Sequence, residues 1–267
     1  SVTATENAVM AASVAEGTTI IQNAASEPHV QDLCNMLNSM GAKISGVGSN
    51  ILTIEGVKKL HGCEFVIGPD TIEIGSYIGM AAATHGQITI KGIRPQEMRP
   101  LKNSFAKLGI SWRIDGDELT VPNTQELKVN ADMGNAIPKI DDMPWPGFPA
   151  DLTSIMTVVA TQVEGTVLIF EKMFESRMFF VDKLISMGAK ITLCDPHRAV
   201  VSGPAMLHGD HLVSPDIRAG MAMVIAAMCA HGESRISNVY QIERGYEDLV
   251  GRLQALGAHI KKVDIEE

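Results

Sequence analysis

The chain has 267 residues, of which 45% are hydrophobic, 20% are charged and 4% are aromatic. This length allows roughly two domains, and the composition is typical of a globular protein and too apolar for a disordered one. The formal net charge of −9 argues against a broad binding surface for nucleic acid or for an anionic membrane. We therefore expect neither nucleic acid nor a membrane among its partners, although a local arginine cluster could still bind a small anion.

Cysteine placement and hydropathy indicate a cytoplasmic protein. The four cysteines lie far apart, form no CxxC pair and have aliphatic neighbours in the sequence: Cys34, Cys63, Cys194 and Cys229. We interpret them as buried thiols in a reducing cytoplasm. No apolar stretch runs for 18 residues without a polar or charged break, so no transmembrane helix is predicted. Residues 1 to 7 lack a starting Met and a basic segment, so we interpret them as a cut within a longer protein rather than as a signal peptide.

The sequence predicts both strands and helices. In chain order they are a strand at 18–21, a helix at 30–40, a strand at 87–90, an apolar helix at 221–228 and an amphipathic helix at 246–256. The strands are short runs rich in β-branched residues, and the helices carry apolar side chains three and four residues apart. This mixture is typical of an α/β fold.

Four segments of the chain share one pattern. In each, an apolar helix ends at a glycine, a short β-branched stretch follows, and a second helix ends at another glycine before two short strands. The glycines lie 23 to 25 positions apart in the pairs Gly17 and Gly41, Gly86 and Gly109, Gly165 and Gly188, and Gly232 and Gly257. Glycine just past a helix supplies the left-handed C-cap conformation, so the pattern predicts a βαβαββ unit. Each unit is too small to bury its own apolar face, so several must pack around a shared centre.

The repeat places polar residues at equivalent positions. Counting back from the first glycine of a pair, Thr3, Asp151 and Arg218 lie within two residues of one position, the start of the first helix. Counting forward, Arg177 and Arg244 each lie 12 residues beyond their glycine, at the start of the second helix. A cation at a helix N-terminus opposes the helix dipole, so the arginines suggest an anionic ligand that guanidinium groups and helix N-termini both bind.

Five motifs follow one another along the chain. They are Ser1-Val2-Thr3-Ala4-Thr5, Pro146-Gly147-Phe148-Pro149-Ala150-Asp151, Phe174-Glu175-Ser176-Arg177, Asp216-Ile217-Arg218-Ala219 and Ile242-Glu243-Arg244-Gly245-Tyr246-Glu247. Together with the repeats, these motifs resemble the family of UDP-N-acetylglucosamine enolpyruvyl transferases. The resemblance implies an α/β enolpyruvyl transferase fold of inside-out βαβαββ repeats, in which helices converge at the centre of a domain and sheets lie outside. This family has six such repeats in two domains, and the chain carries about four of them.

The resemblance also implies a division of the chain. Residues 1 to 68 correspond to the last third of a first, incomplete domain on the nucleotide-sugar side, and residues 69 to 267 to a second domain of three βαβαββ repeats. The family's general-acid loop, and a Lys-Asn pair that helps to hold phosphoenolpyruvate, would precede Ser1. We therefore expect the chain alone to be inactive and to need the missing N-terminal segment of the same enzyme. Ala150 and Thr153 differ from the Thr and Gln of the best-known members.

The activity implied by the resemblance is transfer of enolpyruvyl from phosphoenolpyruvate to the 3-hydroxyl of UDP-N-acetylglucosamine, in peptidoglycan precursor synthesis. Arginines and helix ends can stabilise the charges involved, so neither a metal nor an organic cofactor is expected. One alternative is the shikimate-pathway enolpyruvyl transferase, which shares the fold and the donor. Its phosphorylated acceptor would need further cations, and residues 1–3 and 148–151 favour the nucleotide sugar instead. Another alternative is a non-catalytic fragment that binds a nucleotide sugar or a partner protein.

Asp151 is the catalytic candidate. By the resemblance it accepts the proton of the sugar hydroxyl or orients that hydroxyl, because an aspartate with an ordinary pKa of about 3.9 is ionised at neutral pH. The alternative is a helix cap, since Asp after a proline-rich loop is favoured at a helix start. Trp145, between two prolines, is interpreted as a packing anchor for the loop that carries Asp151.

The arginines are candidates for binding phosphoenolpyruvate. Our hypothesis is that Arg177 and Arg218 bind its carboxylate and that Arg244 binds its phosphate, because guanidinium groups match both anions in bidentate geometry. The alternative is a surface salt bridge with one of three glutamates, Glu175, Glu243 or Glu247. Asp216 is predicted to cap its own helix, with an electrostatic role near the vinyl group as a further hypothesis.

The remaining candidates concern the nucleotide sugar. Ser1, Val2 and Thr3 can offer hydroxyl and backbone N–H groups to a diphosphate at a helix start, and the alternative is a plain capping segment. By resemblance alone, Glu27 and Met173 are expected to neighbour the nucleotide sugar.

Overall fold

The computed structural model describes residues 1–174 and 177–263 and contains both helices and strands, as predicted. The helices are α1 (Val2–Ser13), α2 (Pro28–Ser39), α3 (Thr71–Ala83), α4 (Arg99–Ala106), α5 (Thr153–Ala160), α6 (Val181–Ser186), α7 (Ile217–Cys229), α8 (Tyr240–Glu243) and α9 (Leu249–Ala255). The strands are β1 (Thr18–Gln22), β2 (Lys43–Ser45), β3 (Ile51–Glu55), β4 (Ile88–Ile90), β5 (Arg113–Asp115), β6 (Glu118–Val121), β7 (Lys139–Asp141), β8 (Gly165–Phe170), β9 (Lys190–Asp195), β10 (Arg198–Gly203), β11 (His211–Val213) and β12 (Arg235–Ser237). Short 3-10 turns occur at Pro95–Met98, Met133–Asn135 and Ala150–Leu152.

Each copy of the repeat builds its own small sheet. The first two copies form the sheets β1-β3-β2 and β4-β6-β5, in which neighbouring strands are antiparallel. The third copy forms the sheet β7-β8-β10-β9, which is parallel between β7 and β8 and antiparallel elsewhere. In the fourth copy β11 and β12 pair in parallel. In the first three copies, the two strands after the second helix therefore fold back onto the strand between the helices.

The first helices of the second, third and fourth copies converge. Helix α5 contacts α3 and α7, and α3 contacts α7. Every residue of α5 is buried, and α3 and α7 bury side chains around most of their circumference. A helix that is apolar on all sides must be enclosed by other elements, and here the other two helices and the surrounding sheets enclose it. The inside-out arrangement expected from the resemblance is confirmed.

Buried apolar side chains form two clusters. The larger cluster includes side chains from Ile74 to Leu253, and the smaller one includes side chains from Val9 to Ile54. Residues 56–70 connect the two without a helix or a strand. The domain boundary expected at residue 68 lies in this connection, and it stays a prediction.

A few polar contacts join the parts of the chain on either side of the connection. Asp32 accepts hydrogen bonds from Arg94 Nη1 at 2.8 Å and from the backbone N–H of Gly68 at 2.9 Å. Ser26 Oγ donates to the backbone oxygen of Trp145 at 3.4 Å. The loop that precedes Asp151 is therefore in contact with the part of the chain that carries the smaller cluster.

The left-handed conformation predicted at the repeat glycines is confirmed at seven of the eight, with φ between 74° at Gly109 and 119° at Gly165. In the second copy His85 has a φ of 54°, and Gly86 has no positive φ. The helix C-cap expectation is correct for Gly41, Gly188 and Gly257, each of which directly follows the C-cap residue of its helix. The other repeat glycines with positive φ lie two to four residues beyond the C-cap of the preceding helix.

The interpretation of all four cysteines as buried thiols is wrong for two of them. Cys34 is buried and Cys229 is half-buried, and burial raises the pKa of both thiols, to about 12 for Cys229. Cys63 and Cys194 are exposed. Cys63 lies in the irregular connection and Cys194 on the edge strand β9, where aliphatic neighbours in sequence do not bury a side chain. Among residues 1–174 and 177–263, no helix combines the length and apolarity needed to span a bilayer.

Candidate functional site

Asp151 lies between two arginine side chains that come from different elements. Its Oδ1 accepts a hydrogen bond from Arg177 Nη1 at 2.7 Å, and its Oδ2 accepts one from Arg218 Nε at 2.9 Å. Asp151 is in the turn that leads into α5, Arg218 is in the first turn of α7, and Arg177 precedes α6. All three side chains are partly buried, with exposed fractions between 17% and 33%. The structure thus brings together three of the predicted residues where helices begin.

The alternative interpretation of Asp151 as a helix cap does not match the structure. Neither the 3-10 turn that contains Asp151 nor helix α5 has a side-chain capping hydrogen bond. Burial acts to raise the pKa of Asp151, but the charges and hydrogen bonds of Arg218 and Arg177 outweigh it and hold the pKa below its ordinary value. Asp151 is therefore ionised at neutral pH, and the two arginines leave the cluster with a net positive charge.

Aromatic rings accompany both arginines. The guanidinium carbon of Arg177 lies 4.3 Å from the centroid of the Phe174 ring, and that of Arg218 lies 5.7 Å from the centroid of the Tyr246 ring. Such contacts stabilise a cation and restrict the plane of its guanidinium group. Phe174 is itself 44% exposed, so the Arg177 side of the cluster is open to solvent. Glu175 and Ser176, the centre of this predicted motif, lie outside the described residues.

Arg244 is exposed and stands apart from the Asp151 cluster. Its Nη1 donates to Gln241 Oε1 at 3.1 Å, and none of the described ion pairs includes it. The predicted alternatives for its partner, Glu243 and Glu247, pair instead with Lys262 and Arg252. The backbone that follows Arg244 does approach the cluster, because a Cβ atom at Gly245 would lie 3.5 Å from Arg218 Nη1. Arg244 is thus placed near Arg218 without contacting Asp151.

Asp216 caps helix α7, as predicted. Its Oδ1 accepts hydrogen bonds from the backbone N–H groups of Arg218 at 2.7 Å and Ala219 at 2.9 Å. The cap fixes the first turn of the helix and with it the backbone position of Arg218. A further role of Asp216 near a substrate stays a prediction.

The residues predicted for the nucleotide sugar lie in two places. Ser1 caps helix α1 by accepting from the backbone N–H of Ala4 at 3.5 Å, and Thr3 is exposed in the first turn. The start of α1 touches the segment that leads to Glu27, because Thr5 Oγ1 accepts from the backbone N–H of Ala25 at 3.0 Å. Val2, the first residue of α1, is half-buried.

Glu27 and Met173 differ in their surroundings. Glu27 is half-buried at the start of α2, and its Oε2 is buried without a hydrogen-bond partner among the described residues. A buried carboxylate oxygen without a partner is costly, which favours a polar ligand atom at this position. Met173 is 44% exposed in the turn after β8, beside Phe174. Glu27 directly precedes α2 and Met173 follows β8, and their shared role stays a prediction.

Sequence reasoning missed a pair of buried carboxyl groups next to this cluster. Asp142 and Glu171 are both fully buried, and the Asp142 carboxylate accepts the backbone N–H groups of Lys172 at 2.5 Å and Met173 at 3.0 Å. Burial, and then the facing carboxyl of Asp142, raise the pKa of Glu171 to about 8, against the opposing effects of the Thr153 hydroxyl and the Arg177 charge. Glu171 is therefore mostly protonated at neutral pH. No local signal marks either residue, because their burial depends on the pairing of β7 with β8.

The cluster can bind an anion and accept a proton. Asp151 is an ionised carboxylate, and the two arginines are donors that match a carboxylate or a phosphate. Within the described part of the chain, no group of three or more His, Cys, Asp and Glu side chains could hold a metal ion. The polar contacts of the site are the charge pairs of Asp151 with Arg177 and Arg218.

The inside-out repeats and the acid–arginine cluster at the helix starts define the class of enolpyruvyl transferases. A solved member, the enolpyruvyl transferase NikO from Streptomyces tendae, matches 97% of this chain and 60% of its own with a TM-score of 0.83 and 27% identity. The chain belongs to the EPSP synthase (3-phosphoshikimate 1-carboxyvinyltransferase) family, whose model matches residues 1–253.

Within the family, the chain is similar to UDP-N-acetylglucosamine 1-carboxyvinyltransferases. It is 74% identical to that of Treponema denticola and 65% identical to that of Treponema pallidum, over 98% of this chain in each case. The aligned part covers 61% and 62% of those proteins. The chain thus spans about three fifths of the length of these relatives.

Proposed function

We propose that the natural-length protein transfers the enolpyruvyl group of phosphoenolpyruvate to the 3-hydroxyl of UDP-N-acetylglucosamine, in the synthesis of peptidoglycan precursors. The observation that carries this proposal is Asp151, held ionised between Arg177 and Arg218. The 74% identity with an enzyme named for this reaction supports the same acceptor. Because the chain spans 61% of that relative, the complete reaction is proposed for the longer protein.

In the proposed reaction, the sugar oxygen bonds to C2 of phosphoenolpyruvate while a proton is added to its vinyl carbon. The addition product then loses phosphate and a proton, which restores the double bond. Asp151 accepts or orients the proton of the sugar hydroxyl, a contribution typically worth about 10²- to 10⁴-fold in rate. The charges of Arg177 and Arg218 keep Asp151 ionised, so its carboxylate is ready to accept a hydrogen bond or a proton.

The arginines supply the anion site in this proposal. Arg177 and Arg218 bind the substrate carboxylate, and Arg244 binds its phosphate. Exposure of Arg244 supports this role, because its guanidinium group donates to Gln241 and is otherwise open to solvent. When the anion binds, it takes over hydrogen bonds that Asp151 now accepts, which shifts Asp151 toward the sugar hydroxyl.

The second candidate function takes shikimate 3-phosphate as the acceptor. It is favoured by the name of the family model that matches residues 1–253. The two Treponema relatives favour the nucleotide sugar, and their identity of 65% to 74% is the more specific observation. We also propose that residues 1–267 alone bind ligands without turnover. By itself, this chain would then be a non-catalytic fragment.

The test is release of phosphate from phosphoenolpyruvate by the natural-length gene product, with each acceptor offered separately. We expect release with UDP-N-acetylglucosamine only, and a fall of about 10²-fold or more in kcat for Asp151→Asn. The matched control is Asp117→Asn, at an exposed aspartate between β5 and β6, which should keep wild-type activity. Release with shikimate 3-phosphate alone, or equal rates for both variants, would show that the proposal is wrong.

A further inference from the structure

A buried chain of hydrogen bonds leads from the interior of the helix layer to Arg218. Ser76 Oγ, on helix α3, lies 2.8 Å from the hydroxyl of Tyr246, and that hydroxyl lies 3.4 Å from Arg218 Nη1. Ser76 is fully buried and Tyr246 is 1% exposed. Ser76 Oγ also lies 2.8 Å from the backbone oxygen of Ile72, which can only accept. Helix α3, the turn between α8 and α9, and helix α7 thus meet at Arg218, whose side chain contacts Asp151.

The donors and acceptors that these groups carry determine the direction of each hydrogen bond in the series. A guanidinium group has no acceptor, so the Tyr246 oxygen accepts from Arg218. The carbonyl of Ile72 has no donor, so the Ser76 hydroxyl donates to it. The remaining proton, on Tyr246, then donates to Ser76 Oγ. Burial raises the pKa of Tyr246 against the opposing charge of Arg218, so this proton is retained at neutral pH.

We propose that Tyr246 is a positioning residue that holds the Arg218 guanidinium group in the orientation that binds the anionic substrate. This inference rests on the proposed function for the identity of the substrate. Arg218 carries five N–H donors. Asp151 engages Nε and Tyr246 engages Nη1, so two separate nitrogen atoms are tied to side chains from different elements.

Two hydrogen-bonding partners fix the orientation of the Arg218 guanidinium group, which a single partner leaves free to rotate. With Asp151 alone, the guanidinium group could turn about its hydrogen bond at Nε when the substrate displaces or attracts the carboxylate. The ring of Tyr246, 5.7 Å from Arg218 Cζ, attracts the cation without selecting one nitrogen atom. The hydroxyl of Tyr246, in contrast, binds Nη1 specifically, so the Nη2 edge of the guanidinium group points away from Tyr246. Among the described residues, Nη2 has no hydrogen-bond partner, so this edge can bind an anion.

The kinetic test is Tyr246→Phe in the natural-length protein. The substitution keeps the ring and its packing and removes only the hydroxyl. We expect kcat/KM for phosphoenolpyruvate to fall about tenfold or more, as for loss of a hydrogen bond to a charged group. The KM for UDP-N-acetylglucosamine should stay within about twofold. Ser76→Ala, which removes the acceptor of the Tyr246 proton, should give a smaller loss with the same substrate dependence.

Tyr77→Phe is the matched control. Tyr77 is the neighbour of Ser76 in α3 and is 8% exposed, and its hydroxyl has no hydrogen bond with Arg218, Ser76 or Tyr246. Like Tyr246→Phe, this substitution removes a buried tyrosine hydroxyl from the layer of helices. We expect unchanged kcat/KM for both substrates. The inference would be overturned if Tyr77→Phe and Tyr246→Phe lowered kcat/KM equally. It would also be overturned if Tyr246→Phe lowered kcat/KM by the same factor for both substrates.

A second measurement does not depend on turnover. The exchange rate of the Arg218 Nε proton with water can be followed by NMR of the substrate-free protein, with the signal assigned by its loss in Arg218→Lys. We expect exchange at least about tenfold faster in Tyr246→Phe and unchanged in Tyr77→Phe. Inactivity of the wild-type protein with both acceptors would refute the proposed function alone. Unchanged exchange in Tyr246→Phe would refute the positioning role alone.

Discussion

At the residue scale, Glu171 and Asp142 put two carboxyl groups in the interior beside the Asp151 cluster. Burial, followed by the neighbouring Asp142, raises the pKa of Glu171 from an ordinary 4.5 to about 8. Folding therefore keeps a proton that the unfolded chain releases above about pH 4.5. The free energy of unfolding should be unaffected by this group below that pH, fall as pH rises toward 8, and level off above it.

We predict that Glu171→Gln flattens this pH dependence. Glutamine is neutral at every pH and can donate a hydrogen bond to Asp142, so the variant lacks the proton linked to unfolding. Between pH 5 and pH 8, the wild-type slope should be steeper by up to about 1.4 kcal/mol per pH unit. Urea unfolding at three pH values measures this difference. Glu16→Gln, at an exposed glutamate, is the control and should keep the wild-type slope, and an identical slope in Glu171→Gln would contradict the prediction.

At the scale of elements, close packing of α3 on α5 fixes the position of the start of α5, which follows Asp151. Gly79 of α3 faces α5 and leaves no room for a side chain. A Cβ atom there would lie 2.8 Å from Ile155 Cγ2 and 3.1 Å from Val159 Cγ2. These are methyl groups of β-branched residues in the middle of a buried helix, so they cannot rotate away without shifting α5.

Gly79→Ala should therefore destabilise the protein although alanine is the better helix former. Helix propensity favours alanine by about 1 kcal/mol, whereas overpacking a core costs about 1 to 3 kcal/mol. We expect a net loss of about 1 kcal/mol in the free energy of unfolding, measured by urea denaturation. The control is Gly251→Ala in α9, where the three atoms nearest to an added Cβ belong to the carboxylate group of Asp248, which can rotate away. A stabilised Gly79→Ala would show that α3 and α5 can separate at little cost.

At the scale of the whole molecule, the two hydrophobic clusters are joined by the irregular residues 56–70 and by polar contacts. We propose that these clusters are separate units with a boundary near residue 68. Asp32 is the main polar link, because it binds both Arg94 and the backbone of Gly68. Its side chain is 14% exposed and that of Arg94 is 32% exposed, so this ion pair is partly shielded from water.

We predict that Asp32→Ala uncouples the two units. Loss of hydrogen bonds to a partly buried charge costs about 2 kcal/mol, and the smaller cluster should then melt at a lower temperature than the larger one. Differential scanning calorimetry should show a wider separation of transitions than in the wild type. Lys43→Ala is the control, because it breaks an exposed ion pair with Glu55 inside the smaller unit and should cost under about 1 kcal/mol. An unchanged thermogram for Asp32→Ala would show that the contacts at Asp32 do not couple the units.

The amino-acid sequence by itself indicated the repeating order of helices and strands and the position of Asp151, Arg177 and Arg218 at or just before helix starts. Both follow from local signals: apolar periodicity, glycines that end helices, and residue types repeated at equal offsets. The sequence also predicted that Arg244 would gather with them, and this was wrong, because Arg244 lies at the C-cap of α8 and contacts Gln241 instead of Asp151. The helix cap at Asp216 was also predictable, because a cap depends on the next three residues only.

Only the tertiary structure decided the surroundings of these residues. It pairs Asp151 with both arginines, encloses Glu171 beside Asp142, and ties Tyr246 to Ser76 across 170 positions of the chain. It also leaves Cys63 and Cys194 exposed, against the expectation from their aliphatic neighbours. Burial depends on elements that are far apart in the sequence, and so does the raised pKa of Glu171. Local residue patterns do not show which of these elements will pack together.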